Sequence, residues 1–118
     1  MKKLTSIILI LFLSLLSFPS WSENLTMDDL VERNDLYYKK FTTVPFTGEV
    51  SGMWNGKFKN GKKNGEFVRF YENGQLRSTG NYKDGKKDGL WEYFNEDGSL
   101  KKTETYKNSE RINCEGDC

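Results

Sequence analysis

Downstream of Val50 the chain is built of short runs rich in Phe, Tyr, Trp, Val and Thr, separated by polar stretches dense in Gly, Asn, Asp and Lys. Such runs read as β-strands and such stretches as turns. Asn73-Gly74 and Asp97-Gly98 are pairs favoured in two-residue type I′ hairpin turns. The lysine-bearing stretches that carry Lys62-Lys63 and Lys86-Lys87 read instead as longer exposed turns. This pattern predicts an antiparallel meander of hairpins.

A two-residue turn at Asn73-Gly74 would set Tyr71 opposite Leu76, Arg69 opposite Ser78 and Phe67 opposite Gly80. A symmetric register across the lysine turn would set Tyr82 opposite Trp91. Because side chains alternate with period two, one face then collects Phe58, Phe67, Tyr71, Leu76, Tyr82, Trp91, Tyr93, Leu100 and Tyr106. The other face keeps Glu66, Arg77, Asn81, Glu92 and Lys101, with Val68, Phe70, Leu90 and Phe94 among them. Upstream, Thr26 to Glu32 reads as a short N-terminal helix with Thr26 as its cap and acids in its first turn. Leu36 to Val50 reads as the first, degenerate strands, with Pro45 restricted to an edge or bend.

The strand pattern repeats. Gly56 to Gly65 is matched 24 residues later by Gly80 to Gly89, and the match extends through Phe67 with Trp91, Phe70 with Phe94 and Leu76 with Leu100. A third copy begins at Glu104-Thr105-Tyr106-Lys107-Asn108 and stops. The unit resembles the bacterial MORN-repeat-variant family over residues 56–107, and Leu36-Tyr37-Tyr38 with Pro45-Phe46-Thr47-Gly48 is similar to the segment that often precedes such repeats. The resemblance implies a mainly β fold of stacked 24-residue hairpin repeats and a role in protein or lipid contact rather than catalysis. Many bacterial proteins that look like it are labelled YwqK-type antitoxins. The kinase and methyltransferase domains that accompany MORN repeats in larger proteins have no counterpart here, and the shortness of the array departs from a long scaffold.

The N-terminus follows a different rule. Met1-Lys2-Lys3 and the apolar run from Ile7 to Leu16 read as a secretory signal peptide over residues 1–22, cleaved between Ser22 and Glu23. An uncleaved membrane anchor is the competing reading, since Phe18 and Trp21 extend the apolar stretch. The expected organisation is therefore signal peptide 1–22, N-terminal helix and first strands 23–50, hairpin repeats 51–110, and a tail 111–118. The destination is the periplasm or the medium.

The whole chain has 18 Lys and Arg against 17 Asp and Glu; without Lys2 and Lys3 it has 16 against 17, a net charge of −1. That balance argues against nucleic acid as a partner. The chain has no His, which excludes Ser-His and Cys-His nucleophile pairs and the commonest metal ligand. Its carboxylates fall at turns or recur with the repeat, so no catalytic residue, metal or cofactor is expected. Cys114 and Cys118 can close a disulfide around Gly116, can pair between chains, or, with Glu115 and Asp117, can contribute metal ligands.

Two surfaces are candidate binding sites. The aromatic face carries Phe67, Tyr71, Tyr82, Trp91, Tyr93 and Tyr106, which act either as contact residues or as ordinary core. The lysine turns carry Lys62, Lys63, Lys86 and Lys87, which serve either an anionic partner or solubility alone. The expectation is an exported, non-enzymatic module that binds a protein, in antitoxin or immunity fashion, through the aromatic face. The alternative is a peripheral envelope protein resting on anionic lipid or cell-wall glycan. Open sheet edges also allow a homodimer.

Overall fold

The computed structural model describes residues 24–118; the signal segment expected over 1–22 and the cleavage point expected between Ser22 and Glu23 lie outside the described residues. Thr26 caps a single 3-10 turn, Met27–Asp29, in a reciprocal box. Its hydroxyl accepts from the Asp28 N–H at 3.2 Å, and the Asp29 carboxylate accepts from the Thr26 N–H at 2.9 Å. The helix expected to continue to Glu32 ends there. Leu30–Arg33 is strand β1, paired with β2 (Leu36–Lys39) across a tight turn in which Asn34 and Asp35 both have positive φ. Val31 stands opposite Tyr38, so a β-branched residue that fits a strand better than a helix joins the ladder.

The main sheet comprises β3 (Gly48–Val50), β4 (Trp54–Lys59), β5 (Lys62–Lys63), β6 (Gly65–Phe70), β7 (Leu76–Lys83), β8 (Lys86–Phe94), β9 (Leu100–Lys107) and β10 (Glu110–Gly116). Its order is β10-β9-β8-β7-β6-β4-β3, with β5 also on β4, and each pairing is antiparallel. The architecture is the expected mainly β meander. Pro45 makes only an isolated bridge to Tyr38, in keeping with its missing N–H. Most of the expected tail is the last strand, with Cys114 and Cys118 joined in one chain across a Cα–Cα distance of 6.1 Å.

The two kinds of turn are the reverse of the expectation. At Asn60-Gly61, Asp84-Gly85 and Asn108-Ser109 both central residues are left-handed, so the lysine stretches hold the tight I′-like turns and the strands run on through the lysines. At Asn73-Gly74 and Asp97-Gly98 only the glycine has positive φ. There the Gly74 N–H donates to the Tyr71 carbonyl at 3.0 Å and the Tyr71 N–H to the Gln75 carbonyl at 2.8 Å, which closes a three-residue loop. The side chains explain the difference. Asn73 accepts from the Gln75 N–H and Asp97 from the Ser99 N–H, each at 2.9 Å, an Asx-type bond that keeps these residues right-handed.

The longer loops shift the register. Arg69 faces Ser78 and Phe67 faces Gly80 as expected, but Leu76 faces Phe70 instead of Tyr71, leaving Arg77 as an extra residue. The same bulge recurs in the next repeat, where Leu100 faces Phe94 and Lys101 is extra. Leu76 and Leu100 therefore join Phe70 and Phe94 on the face opposite the rings. Tyr82 faces Lys87, and Trp91 lies across Gly80 instead.

Leu30, Phe46, Val50, Phe58, Phe67 and Trp91 form the core, with Tyr37, Trp54, Tyr82, Tyr93 and Tyr106 packed against it. Tyr37, Phe58, Phe67, Tyr82 and Trp91 make a continuous edge-to-face ladder with successive centroids 5.1, 5.5, 5.1 and 5.0 Å apart. Two glycines permit it. A Cβ on Gly56 would stand 2.6 Å from the Phe67 ring, and one on Gly80 would fall within the Trp91 indole. The N-terminal hairpin supplies Leu30 and Tyr37, so it covers the aromatic face at the Phe58 end.

Candidate binding groove

The ring ladder first decides which of the candidate residues a partner can reach. Phe67 is 1% exposed and Trp91 4%, so both are core rather than surface. Trp91 is also tied down by its indole N–H, which donates to the Asn81 carbonyl at 3.0 Å. Tyr71, Tyr82, Tyr93 and Tyr106 remain half-buried.

Strand alternation splits each lysine pair. Lys62 and Lys86 are exposed, whereas Lys63 and Lys87 turn onto the aromatic face, so the four do not project together from the turns. The Lys63 ammonium lies 4.9 Å from the Tyr82 centroid, 5.2 Å from Trp54, 5.6 Å from Phe67 and 5.7 Å from Tyr37. Lys87 stands 5.0 Å from Trp91, 5.3 Å from Tyr93 and 5.4 Å from Tyr106, and donates to the Tyr93 hydroxyl at 2.6 Å. Aliphatic stems laid on rings with charges over the ring faces explain how these amines tolerate the position. Burial lowers the pKa of both lysines, with neighbouring carboxylates pulling the other way, and burial raises the pKa of Tyr82 and Tyr93.

Beyond the part covered by the hairpin, the aromatic face opens as a shallow groove of about 340 Å³ lined by Tyr71, Arg77, Lys87, Tyr93, Phe94, Lys101, Lys102, Glu104 and Tyr106. Four of those side chains are cations and one is a carboxylate. The two bulges create this imbalance. Simple alternation would leave Arg77 and Lys101 on the opposite face; each is the extra residue of a β-bulge, and both line the groove. Arg77 accordingly sits 5.2 Å from the Tyr71 centroid, and Lys102 5.0 Å from that of Tyr93. The Tyr71 hydroxyl donates to the Phe94 carbonyl at 2.7 Å, locking one repeat to the next and fixing the groove floor.

Glu104 closes the floor. It stands 24 residues after Gly80, where a third glycine of the ladder would fall, and a carboxylate there ends the stacking of rings. Arg111 donates to it at 2.9 Å, Lys102 at 3.3 Å and the Tyr106 hydroxyl at 3.0 Å. Burial opposes the charge, but the hydrogen bonds from Arg111, Tyr93, Tyr106 and Lys102 together outweigh it and hold the carboxyl at about 2.

Arg77, Lys101, Lys102 and Glu104 were not among the sequence candidates. The available signal was the repeated basic residue directly after Leu76 and Leu100, at the same place in each unit. Among the described residues no group of three or more His, Cys, Asp or Glu side chains is placed to hold a metal ion, and no helix is long and apolar enough to cross a membrane.

Together the meander and the glycine-seated rings define a β-hairpin repeat protein. Residues 63–84 and 87–108 each match the MORN repeat variant family. The two matched stretches start on Lys63 and Lys87, the lysines that lie over the rings. No curated protein and no solved structure matches the chain.

Proposed function

We propose that this chain is an exported, non-catalytic binding module that holds an acidic segment of a partner protein in the groove between Tyr71 and Tyr106. The observation that carries the reading is the pair of matching bulges that bring Arg77 and Lys101 into a groove lined by half-buried tyrosines. A chain whose charge is −1 once residues 1–22 are removed gathers four cations around one carboxylate there. Cations above aromatic rings recognise carboxylates while the rings supply contact area at small entropic cost. Occlusion of a toxin's surface, in the manner of the YwqK-type antitoxins that the repeats resemble, is the form of this activity we favour. The signal-like N-terminus supports action outside the cytoplasm.

The test is capture from periplasmic extract on immobilised wild type and on the R77E/K101E double variant, both side chains being exposed. Wild type is expected to retain a partner that elutes as salt rises, because charge contacts at a partly exposed groove are screened. The variant is expected to retain none while melting at the same temperature. Equal capture by both proteins would sink the proposal.

A further inference from the structure

Strand β10 is held from one side only. Among the described residues it is the outermost strand of the main sheet, with β9 as its single neighbour. Its last residues nevertheless keep a close seat on β9. Gly116 pairs with Lys102, and after its left-handed turn, at a φ of 97°, the Asp117 N–H donates to the Lys101 carbonyl at 3.0 Å. A Cβ on Gly116 would stand 2.5 Å from that carbonyl, so the two backbones meet with no room for a side chain between them. The Cys118 N–H then donates to the Gly116 carbonyl at 2.8 Å, and the Cys114–Cys118 disulfide closes the hook.

The hook holds a residue of the groove. Lys101 is the extra residue of the second bulge, and it lines the groove together with Lys102. Arg77, its match one repeat earlier, lies beside β8, which β9 pins from the far side. Lys101 lies beside β10, which has nothing beyond it among the described residues. A strand without an outer neighbour frays from its end, so the covalent loop supplies what the next strand supplies at Arg77.

We propose that the Cys114–Cys118 bridge is a redox switch on the groove. Closed, it seats Gly116 and Asp117 against the Lys101–Lys102 bulge and keeps the basic wall in place; opened by a dithiol, it releases them and the grip on an acidic partner weakens. The inference rests on the groove being the binding site. Opening is a two-step exchange. A thiolate of the reductant attacks Cys118, which is exposed while Cys114 is half-buried, and Cys114 departs as the thiolate. The reductant's second thiol then displaces Cys118, so the dithiol becomes a disulfide and its two protons pass to the two cysteines. The bridge stays open in a reducing compartment, which confines the full grip to oxidising ones.

The test follows the isotopically labelled protein, oxidised and then treated with dithiothreitol, with a glutamate-rich peptide as the probe at low salt. Reduction is expected to speed amide exchange at Asp117 about tenfold and to move the signals of Lys101 and Lys102 while leaving those of Phe67 and Trp91. Peptide binding is expected to weaken about fivefold, the size of one partly exposed charge contact. C114S/C118S should match the reduced protein with or without dithiothreitol. Oxidised G116A should match it too with the bridge intact, because its Cβ unseats the hook from the Lys101 carbonyl. Asp117 exchange unmoved by reduction would overturn the inference, as would a C114S/C118S protein that still responds to dithiothreitol. Oxidised protein that binds the peptide and loses none of that affinity on reduction sinks the switch alone. Oxidised protein that binds no peptide sinks the groove reading, and the switch with it.

Discussion

Gly80 has no left-handed backbone to excuse it, yet its place beneath the Trp91 ring makes it one of the least replaceable residues of the chain. A Cβ built there falls inside the Trp91 indole, so Gly80→Ala must push the ring off the strand. Overpacking of this kind costs about 1–3 kcal/mol. The displaced indole also gives up its 3.0 Å hydrogen bond to the Asn81 carbonyl, a further ~1 kcal/mol. The sum, roughly 3 kcal/mol, is a large share of the stability of a small domain and should lower its melting temperature by roughly 15 °C. Gly74→Ala provides the contrast. Nothing lies within 4 Å of its Cβ, so only the left-handed strain at a φ of 87° remains, about 1–2 kcal/mol. Thermal unfolding followed by near-ultraviolet circular dichroism, to which Trp91 contributes along with the other packed aromatic residues, decides the matter. If G80A melts within about 2 °C of wild type, or no lower than G74A, the glycine-seated ring ladder is not what holds the repeats together.

Two pH-linked predictions follow from the buried charges. Glu104 has its carboxyl depressed to about 2, so the stability it contributes is complete above the unfolded carboxyl range and is lost as pH falls from about 5 towards 2. E104Q should flatten that decline and cost roughly 2 kcal/mol at neutral pH after screening, and an unchanged acid limb in urea titrations would refute the linkage. Lys63 has its amine lowered by burial, so the unfolded chain holds the proton more tightly and stability should rise as pH climbs towards the ordinary lysine range. K63M should remove that alkaline rise and melt no lower than wild type at pH 7, whereas a marked loss of stability would show that the four surrounding rings more than repay the buried charge.

The meander was legible because a hydrophobic repeat recurring at a fixed offset with glycine and turn residues in step leaves few architectures open. Phe58, Phe67, Tyr82, Trp91, Tyr93 and Tyr106 share a face as alternation requires. The turns were not legible to the same degree. Asn60-Gly61 and Asn73-Gly74 are the same dipeptide, and what separates them is the Asx bond from Asn73 to Gln75, a side-chain choice that dipeptide preference does not contain. From that one choice follow the bulges, the displacement of Leu76 and Leu100, and the arrival of Arg77 and Lys101 in the groove. The groove was therefore the part least readable in advance. Thr26 to Glu32 shows a related limit, since a sound cap and an acidic first turn give one turn of helix when the next residues find a strand partner. Among the expected contact residues, Phe67 and Trp91 proved to be core because the glycine opposite each ring lets it sink onto the sheet.

The most direct test of the central claim is a two-dimensional amide spectrum of the isotopically labelled protein, recorded as a glutamate-rich peptide is added at low salt. The shifts that move are expected to belong to Tyr71, Arg77, Tyr93, Lys101, Lys102 and Tyr106, and to return as salt is raised. Shifts confined to the lysine turns around Lys62 and Lys86, or no change anywhere, would contradict it.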